Sequence, residues 1–242
     1  MKLHVTGATG YLGSELVRLR PDASTERVEV LDGADVQWLF DRIKPDVVVH
    51  TAYVQEEARV NVEGAENVAL AAAAAGARLV HLSTDVVFDG RKGAPYVEDD
   101  TLSPITDYGR AKAEAERRVA AAHRTALIVR TSLLYGGAEP SRHELAAHDP
   151  ELTFFTNEIR SPVHETDLAH ALLELLELDI SGPLHVAGAD AVSRAEFAEL
   201  IRGGPVLSAP APATRPLNCS LDSSRAQALL TTRLRGVREV LG

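Results

Sequence analysis

Two residues four apart carry the sharpest chemistry in this sequence: Tyr108 and Lys112, within Asp107-Tyr108-Gly109-Arg110-Ala111-Lys112. On a helix that spacing puts both side chains on one face. Reducing a carbonyl requires a proton at the oxygen while hydride arrives at the carbon. A phenol titrates near ~10 when unperturbed, too high for ready exchange at neutral pH. An ammonium beside it stabilises the phenolate and draws that value toward the working range. The same ammonium can hydrogen-bond a cofactor ribose. A tyrosine and a lysine at this spacing also occur as plain neighbours on a helix surface, so the pair alone decides nothing. Two further features favour chemistry. Lysine is scarce, standing only at positions 2, 44, 92 and 112. Ser83 and Thr84 follow an apolar run and offer hydroxyls where a parallel α/β sheet places its ligands, beyond the carboxyl ends of its strands. The set then reads as Thr84 orienting a carbonyl, Tyr108 donating the proton and Lys112 tuning Tyr108.

A second feature stands near the start, in Thr6-Gly7-Ala8-Thr9-Gly10-Tyr11-Leu12-Gly13. The spacing G-x-x-G-x-x-G follows an apolar run and opens a helical one. Gly7 permits a tight turn, Gly10 lets backbone approach a pyrophosphate, and Gly13 allows helix to pack closely on strand. The free amides and positive dipole end of the helix then face the phosphates. Glycines also serve ordinary strand-to-helix turns; the position at residue 7 of a βαβ unit is what favours a dinucleotide. Asp32 is the acidic candidate for the ribose, while Arg18, Arg20 and Arg27 could meet a 2′-phosphate instead, so NAD and NADP both stay open.

These groups need elements to hold them. Short β-branched runs at 3–6, 27–31, 46–51, 78–82 and 126–130 read as buried strands, and helical patterns lie at 12–19, 35–43, 62–75 and 107–121. Strands apolar on both faces and separated by helices imply a doubly wound parallel sheet, a Rossmann arrangement. Further on, 136–150 is polar and turn-rich, 167–178 an apolar helix, and 184–186 a strand. Ser193-Arg194-Ala195-Glu196 has the form of a capping box. The segment 203–216, with Pro205, Pro210, Pro212 and Pro216, reads as an extended surface connection. The division expected is a dinucleotide-binding domain over 1–131, completed by about 162–188. A small C-terminal substrate-binding portion, 132–161 with 189–242, completes the α/β chain.

Composition narrows the function class. The chain has 242 residues, 45% hydrophobic and 25% charged, which is ordinary for a globular domain with a buried core. A net charge of -10 offers no positive field for nucleic acid or an anionic membrane surface. The most apolar stretch, 68–77, is ten residues of mostly alanine, about half the ~20 that span a bilayer. No signal-peptide pattern precedes the glycine turn. The single Cys219 excludes an internal disulfide and fits a reducing, cytoplasmic setting. His143 with His148, and His164 with His170, have poor spacing for one metal-binding helix face, so no metal is expected. Glu98, Asp99 and Asp100 read as a solvated turn, with Tyr96 and Glu98 as possible pocket borders.

Taken together, the residues resemble the extended short-chain dehydrogenase/reductases, and within them the dTDP-4-dehydrorhamnose reductase branch. The resemblance runs through residues 7–13, 44–52 (Lys-Pro-Asp-Val-Val-Val-His-Thr-Ala), 61–67, and 83–90 (Ser-Thr-Asp-Val-Val-Phe-Asp-Gly). It continues through 108–112, 130–136 and the Arg215-Pro216 segment up to 222. It implies hydride transfer from NADPH or NADH to the keto group of a nucleotide-linked deoxysugar, with a homodimer as a further implication. Thr84, Tyr108 and Lys112 match the family's catalytic set. Gly7, Gly10, Tyr11, Leu12, Gly13 and Ala52 match its cofactor positions, joined by Ser83 and Lys112, with Asp32 near the adenine. Val86 and Leu133 stand where the family usually has tyrosine and tryptophan in the sugar pocket, and the stretch between Ala52 and Asn61 is shorter than the family's. Those departures keep two alternatives open: a cofactor-binding regulatory subunit without turnover, and a sugar-nucleotide epimerase or dehydratase in which Asp85 supplies the acid.

Overall fold

The computed structural model describes residues 1–242. In chain order the elements begin with strand β1 (Leu3–Thr6), helices α1 (Tyr11–Leu19) and α2 (Gly33–Ile43), strand β2 (Val47–His50), helix α3 (Ala65–Ala74), strand β3 (Arg78–Thr84), helix α4 (Asp107–Ala122) and strand β4 (Leu127–Thr131). Then follow β5 (Leu134–Tyr135), α5 (Arg142–Ala147), β6 (Thr153–Phe155), β7 (Ile159–Arg160), β8 (Val163–His164), α6 (Glu165–Leu175), β9 (Gly182–His185) and β10 (Val192–Ser193). The chain closes with α7 (Arg194–Arg202), β11 (Leu207–Ala209), α8 (Ser224–Leu229) and α9 (Val237–Leu241). It packs as two units: Met1–Ser83 with Asp107–Val129 and Leu175–Pro183, and Thr84–Thr106 with Arg130–Glu174 and Leu184–Gly242.

The central sheet has five strands in the order β1-β2-β3-β4-β9, with β1, β2 and β3 paired parallel. Each of β1 and β2 is buried along its whole length, as continuous β-branched runs require. In the first unit, Val36, Leu39, Phe40 and Ile43 of α2 join Val68, Ala69 and Ala72 of α3 and Ala115 and Val119 of α4. All meet Val48 and Leu79 of the sheet in one apolar cluster. The alanine run 68–77 is thus the helix that lets α2 and α4 approach, since small side chains permit close packing. No helix is long and apolar enough to cross a membrane.

One expected strand is absent. Residues 27–31 form no ladder, and β1 is therefore an edge strand whose outer side meets a single residue, through Val5 N to Ser24 O (3.0 Å) and Ser24 N to Leu3 O (2.8 Å). The backbone there is drawn into a turn instead, with Asp32 N on Glu29 O (3.0 Å) and Leu31 N on the Glu29 carboxylate (3.1 Å). Of the run, Val30 is buried in the core and Val28 packs half-buried against the same cluster.

The second unit holds three two-stranded ladders: β5 with β8 and β6 with β11 parallel, β7 with β10 antiparallel. Tyr135, Val192, Phe197 and Val237 form one of its cores, and Ala147, Phe154, Ala195 and Ala198 another. The segment 136–150 holds α5, started by a full capping box in which Ser141 and Glu144 satisfy each other's amides. The proline-rich 203–216 is not wholly extended coil, because β11 pairs there with β6. At Ser193 only half a box forms: its hydroxyl accepts the Glu196 amide, while the Glu196 carboxylate goes to Arg238 at 2.6 Å. The remaining boundary differences are of a few residues, except that a π-turn, Val60–Gly64, precedes α3 where one continuous helix was expected.

Candidate active site

In the first unit, the glycine turn is closed by sterics that only glycine satisfies. Gly7 has φ of +72°, and a Cβ there would lie 2.7 Å from the Ala52 amide nitrogen. A Cβ on Gly13 would lie 2.1 Å from the Gly7 carbonyl oxygen. Thr51 clamps the turn from β2, its hydroxyl donating to Thr6 O at 2.7 Å. Helix α1 then starts at Gly10 with no side-chain cap and no acidic residue in its first turn. Its positive end thus has no acidic side chain of its own first turn beside it, and the Cβ-free floor beneath it fits a dinucleotide diphosphate. Tyr11 borders this end half-buried, Leu12 is buried, and Ala52 lies against Gly7. Asp32 is the N-cap of α2, one carboxylate oxygen accepting the amides of Ala34 (3.0 Å) and Asp35 (3.1 Å).

Helix α4 carries the second group. Tyr108 is half-buried, its ring 6.2 Å from that of Tyr53. Lys112, one turn on, is buried, and its Nζ donates to Leu82 O of β3 at 2.6 Å. Burial lowers the ammonium's pKa to about 8 against the opposing pull of Glu116. Glu116, a further turn along, is buried as well and accepts a hydrogen bond from the Ser83 hydroxyl at 2.5 Å. Ser83 is therefore engaged with Glu116 in this structure. His50 and His81, paired across β2 and β3, stack at 5.3 Å between ring centroids. Burial, with Lys112 next in effect, lowers His50 to about 3 and His81 well below its ordinary value, so both rings are neutral. His50 Nδ1 meets the Thr6 hydroxyl at 2.7 Å. Neither histidine nor Glu116 was picked out by sequence reasoning, although a histidine closing the run Val-Val-Val-His is itself a signal, since an imidazole in a fully buried strand needs a reason.

The second unit begins at Thr84, which ends β3. Its hydroxyl lies 3.2 Å from Asp85 Oδ1 and caps the following turn through the Val86 amide. Asp85 is buried, which raises its pKa first of all, and it takes the Ser132 hydroxyl at 2.6 Å and faces Arg160 at 3.7 Å. Arg160 is saturated by Glu158 and by the carbonyls of Ile159, Leu217 and Pro216. Glu158 also holds Arg215 at 2.6 Å. Arg194 differs: it pairs with no carboxylate and meets only the His143 ring, 3.4 Å from Nδ1. Desolvation lowers it to about 10, and His143, half-buried beside Arg194 and Arg142, falls to about 3 and stays neutral. Arg194 with Arg142 makes a cationic corner, offset in part by Glu158 and Asp85. Val86 and Leu133 are both half-buried, Leu133 against the Tyr135–Phe197 core. Tyr96 and Glu98 are structural: the phenol donates to Asp89 (2.7 Å), and Glu98 accepts the His185 amide (3.0 Å). Cys219 is buried with its thiol pushed up to about 12, an inert sulfur.

Comparison with known proteins matches the whole chain, residues 1–242, to the family described as RmlD substrate binding domain. The chain is 34% identical over 221 residues to the spore coat polysaccharide biosynthesis protein SpsK of Bacillus subtilis, covering 83% of this chain and 78% of that one. It is 31% identical over 280 residues to a dTDP-4-dehydrorhamnose reductase of Sinorhizobium fredii, covering 97% and 93%. A crystal structure of the dTDP-4-dehydrorhamnose reductase of Bacillus anthracis in complex with NADP superposes with a TM-score of 0.87 at 28% identity, over 100% of this chain and 96% of that one.

Proposed function

This chain belongs to the RmlD substrate-binding-domain family, and from that premise we propose that it is a nicotinamide-dependent reductase of a keto group on a nucleotide-linked deoxysugar. The observation that carries the reading is the Lys112 ammonium fixed to Leu82 O one helical turn from Tyr108. NADPH or NADH, when bound, supplies the hydride. The amides at the start of α1 bind its diphosphate, and Gly7, Gly10 and Gly13 keep that floor open.

The Tyr108 hydroxyl gives its proton to the substrate carbonyl oxygen as negative charge grows there. Lys112 stabilises the phenolate that remains, so the transfer is less uphill near neutral pH. The neutral rings of His50 and His81 add no competing positive charge beneath it. To the Thr84 hydroxyl we assign a hydrogen bond to the substrate. Arg194, lacking a carboxylate partner, suits the diphosphate of a nucleotide-linked substrate, and Val86 and Leu133 give that substrate apolar walls without a hydroxyl.

The test is oxidation of NADPH and NADH against a dTDP-linked 4-keto-6-deoxysugar, with Tyr108→Phe alongside. Tyr108→Phe is expected to keep cofactor affinity within about twofold by calorimetry while kcat falls by roughly 10²–10⁴, the usual worth of a positioned proton donor. Full turnover in the variant removes Tyr108 from the role. A wild-type protein that binds cofactor yet oxidises none against nucleotide-linked keto sugars removes the reductase reading.

A further inference from the structure

Helix α4 meets β3 through two consecutive strand residues and two side chains one turn apart. Lys112 Nζ donates to Leu82 O at 2.6 Å, and Glu116 accepts from the Ser83 hydroxyl at 2.5 Å. Tyr108, Lys112 and Glu116 recur every four residues, so one face of the helix presents phenol, ammonium and carboxylate in a row. Lys112 and Glu116 are each only 4% exposed. A buried ammonium with a single carbonyl acceptor is costly unless a counter-charge lies within reach.

We propose that Glu116 is a positioning residue for the reduction: its carboxylate, aimed by Ser83, keeps Lys112 protonated beside Tyr108. Glu116 need not touch substrate or cofactor. It acts through Lys112, and Ser83 acts through Glu116. Titratable groups from three elements lie around Lys112. From α4 come Tyr108 and Glu116; from β2 His50; from β3 His81. The two imidazoles are neutral, and Glu116 is the one group that raises the Lys112 pKa, against the burial that lowers it to about 8. With that value so near the working range, loss of the counter-charge would leave the lysine largely neutral in ordinary buffers, and Tyr108 would lose the charge that acidifies it.

This inference rests on the reductase reading for its consequence, and its test is chosen to stand apart from it. The sequence has only four lysines, so protein labelled with ¹³C at lysine Cε gives few resonances. The Lys112 signal is assigned by its disappearance in Lys112→Arg. Titration of the cofactor-free protein is expected to place the Lys112 midpoint in Glu116→Gln about one pH unit below wild type, a tenfold change in its proton affinity. Glu116→Asp keeps the charge one methylene further away and is expected to move the midpoint in the same direction by less than half as much. It also serves where the glutamine variant does not fold.

In turnover assays, the alkaline fall of kcat is expected to move to lower pH by the same interval, with the cofactor KM changed less than threefold. A purely structural role would reduce stability and rate yet leave both the midpoint and the alkaline limb in place, and that result overturns the proposal. A shifted midpoint in a protein that reduces no keto sugar would sink the reductase reading and leave the Glu116–Lys112 coupling standing.

Discussion

Gly13 and Gly7 lie so close that a Cβ added to Gly13 would sit 2.1 Å from the Gly7 carbonyl oxygen. That contact is with backbone, which cannot swing aside as a side chain would. Gly13→Ala must therefore lift α1 off the turn, and with it the amides that face the phosphates. The expected result is at least a tenfold loss of NADPH affinity together with a lower melting temperature. Unchanged affinity by calorimetry would show that the α1 amides are not the phosphate site.

Lys112 makes the fold's stability depend on alkaline pH in a definite direction. In the fold it releases its proton at about 8, against an ordinary 10.5. Between those values the unfolded chain holds more protons than the folded one, so stability rises with pH across that window. The full gain approaches about 3–4 kcal/mol, from roughly 1.4 kcal/mol per pKa unit. Urea unfolding of wild type and Lys112→Met from pH 7 to 11 isolates it, because other groups cancel in the difference. A difference that stays flat would show Lys112 to be ordinarily solvated.

The strands and helices that hold the site were legible because their signals are local. Periodicity alone places α4 with Tyr108 and Lys112 on one face, and the glycine spacing marks a turn whose closeness the Gly7–Gly13 contact bears out. What was not legible depends on partners far along the chain. Residues 27–31 alternate like a strand, yet a strand needs a ladder, and β1 gives its outer side to Ser24 alone. Ser193 and Glu196 have capping-box spacing, but Arg238, forty-two residues on, takes the glutamate, and the complete box forms at Ser141 and Glu144 instead. Ser83 stands at a strand end where ligand hydroxyls are expected, and nothing local to it signals that Glu116, thirty-three residues later, accepts its hydrogen bond. Arg194 stood inside a capping motif, and nothing in the sequence marked it as an arginine without a carboxylate.

Arg194→Gln tests that cationic corner directly. The guanidinium costs desolvation, which outweighs the attraction of Glu158 and Asp85, and its side-chain hydrogen-bond partner is the neutral His143 ring, so removing it should not weaken the fold. Melting temperature is expected to hold or rise slightly, while KM for a nucleotide-linked keto sugar increases about tenfold, the worth of one charge-assisted bond to phosphate. The kcat and the cofactor KM are expected to change little. Equal KM values for both proteins would exclude Arg194 from substrate binding.

His50 fixes the opposite edge of the pH range. Burial holds its pKa at about 3 against an ordinary 6.5, and its neighbours Lys112 and His4 push the same way. The ring is held neutral between β1 and β3, with Nδ1 on the Thr6 hydroxyl. As pH falls below 6.5 the unfolded chain takes up a proton that the folded chain refuses, so this contribution is intact above 6.5 and drains away toward pH 3. Integrated over that window it amounts to at most about 5 kcal/mol, a large share of a typical domain's stability. His50→Asn keeps a polar partner for Thr6 and cannot titrate, so its stability should fall less steeply in acid than that of the wild type. Parallel urea titrations between pH 7 and 4 give the comparison. Matching slopes would mean that His50 charges freely in the folded state, and the sealed environment inferred beneath Lys112 would have to be abandoned.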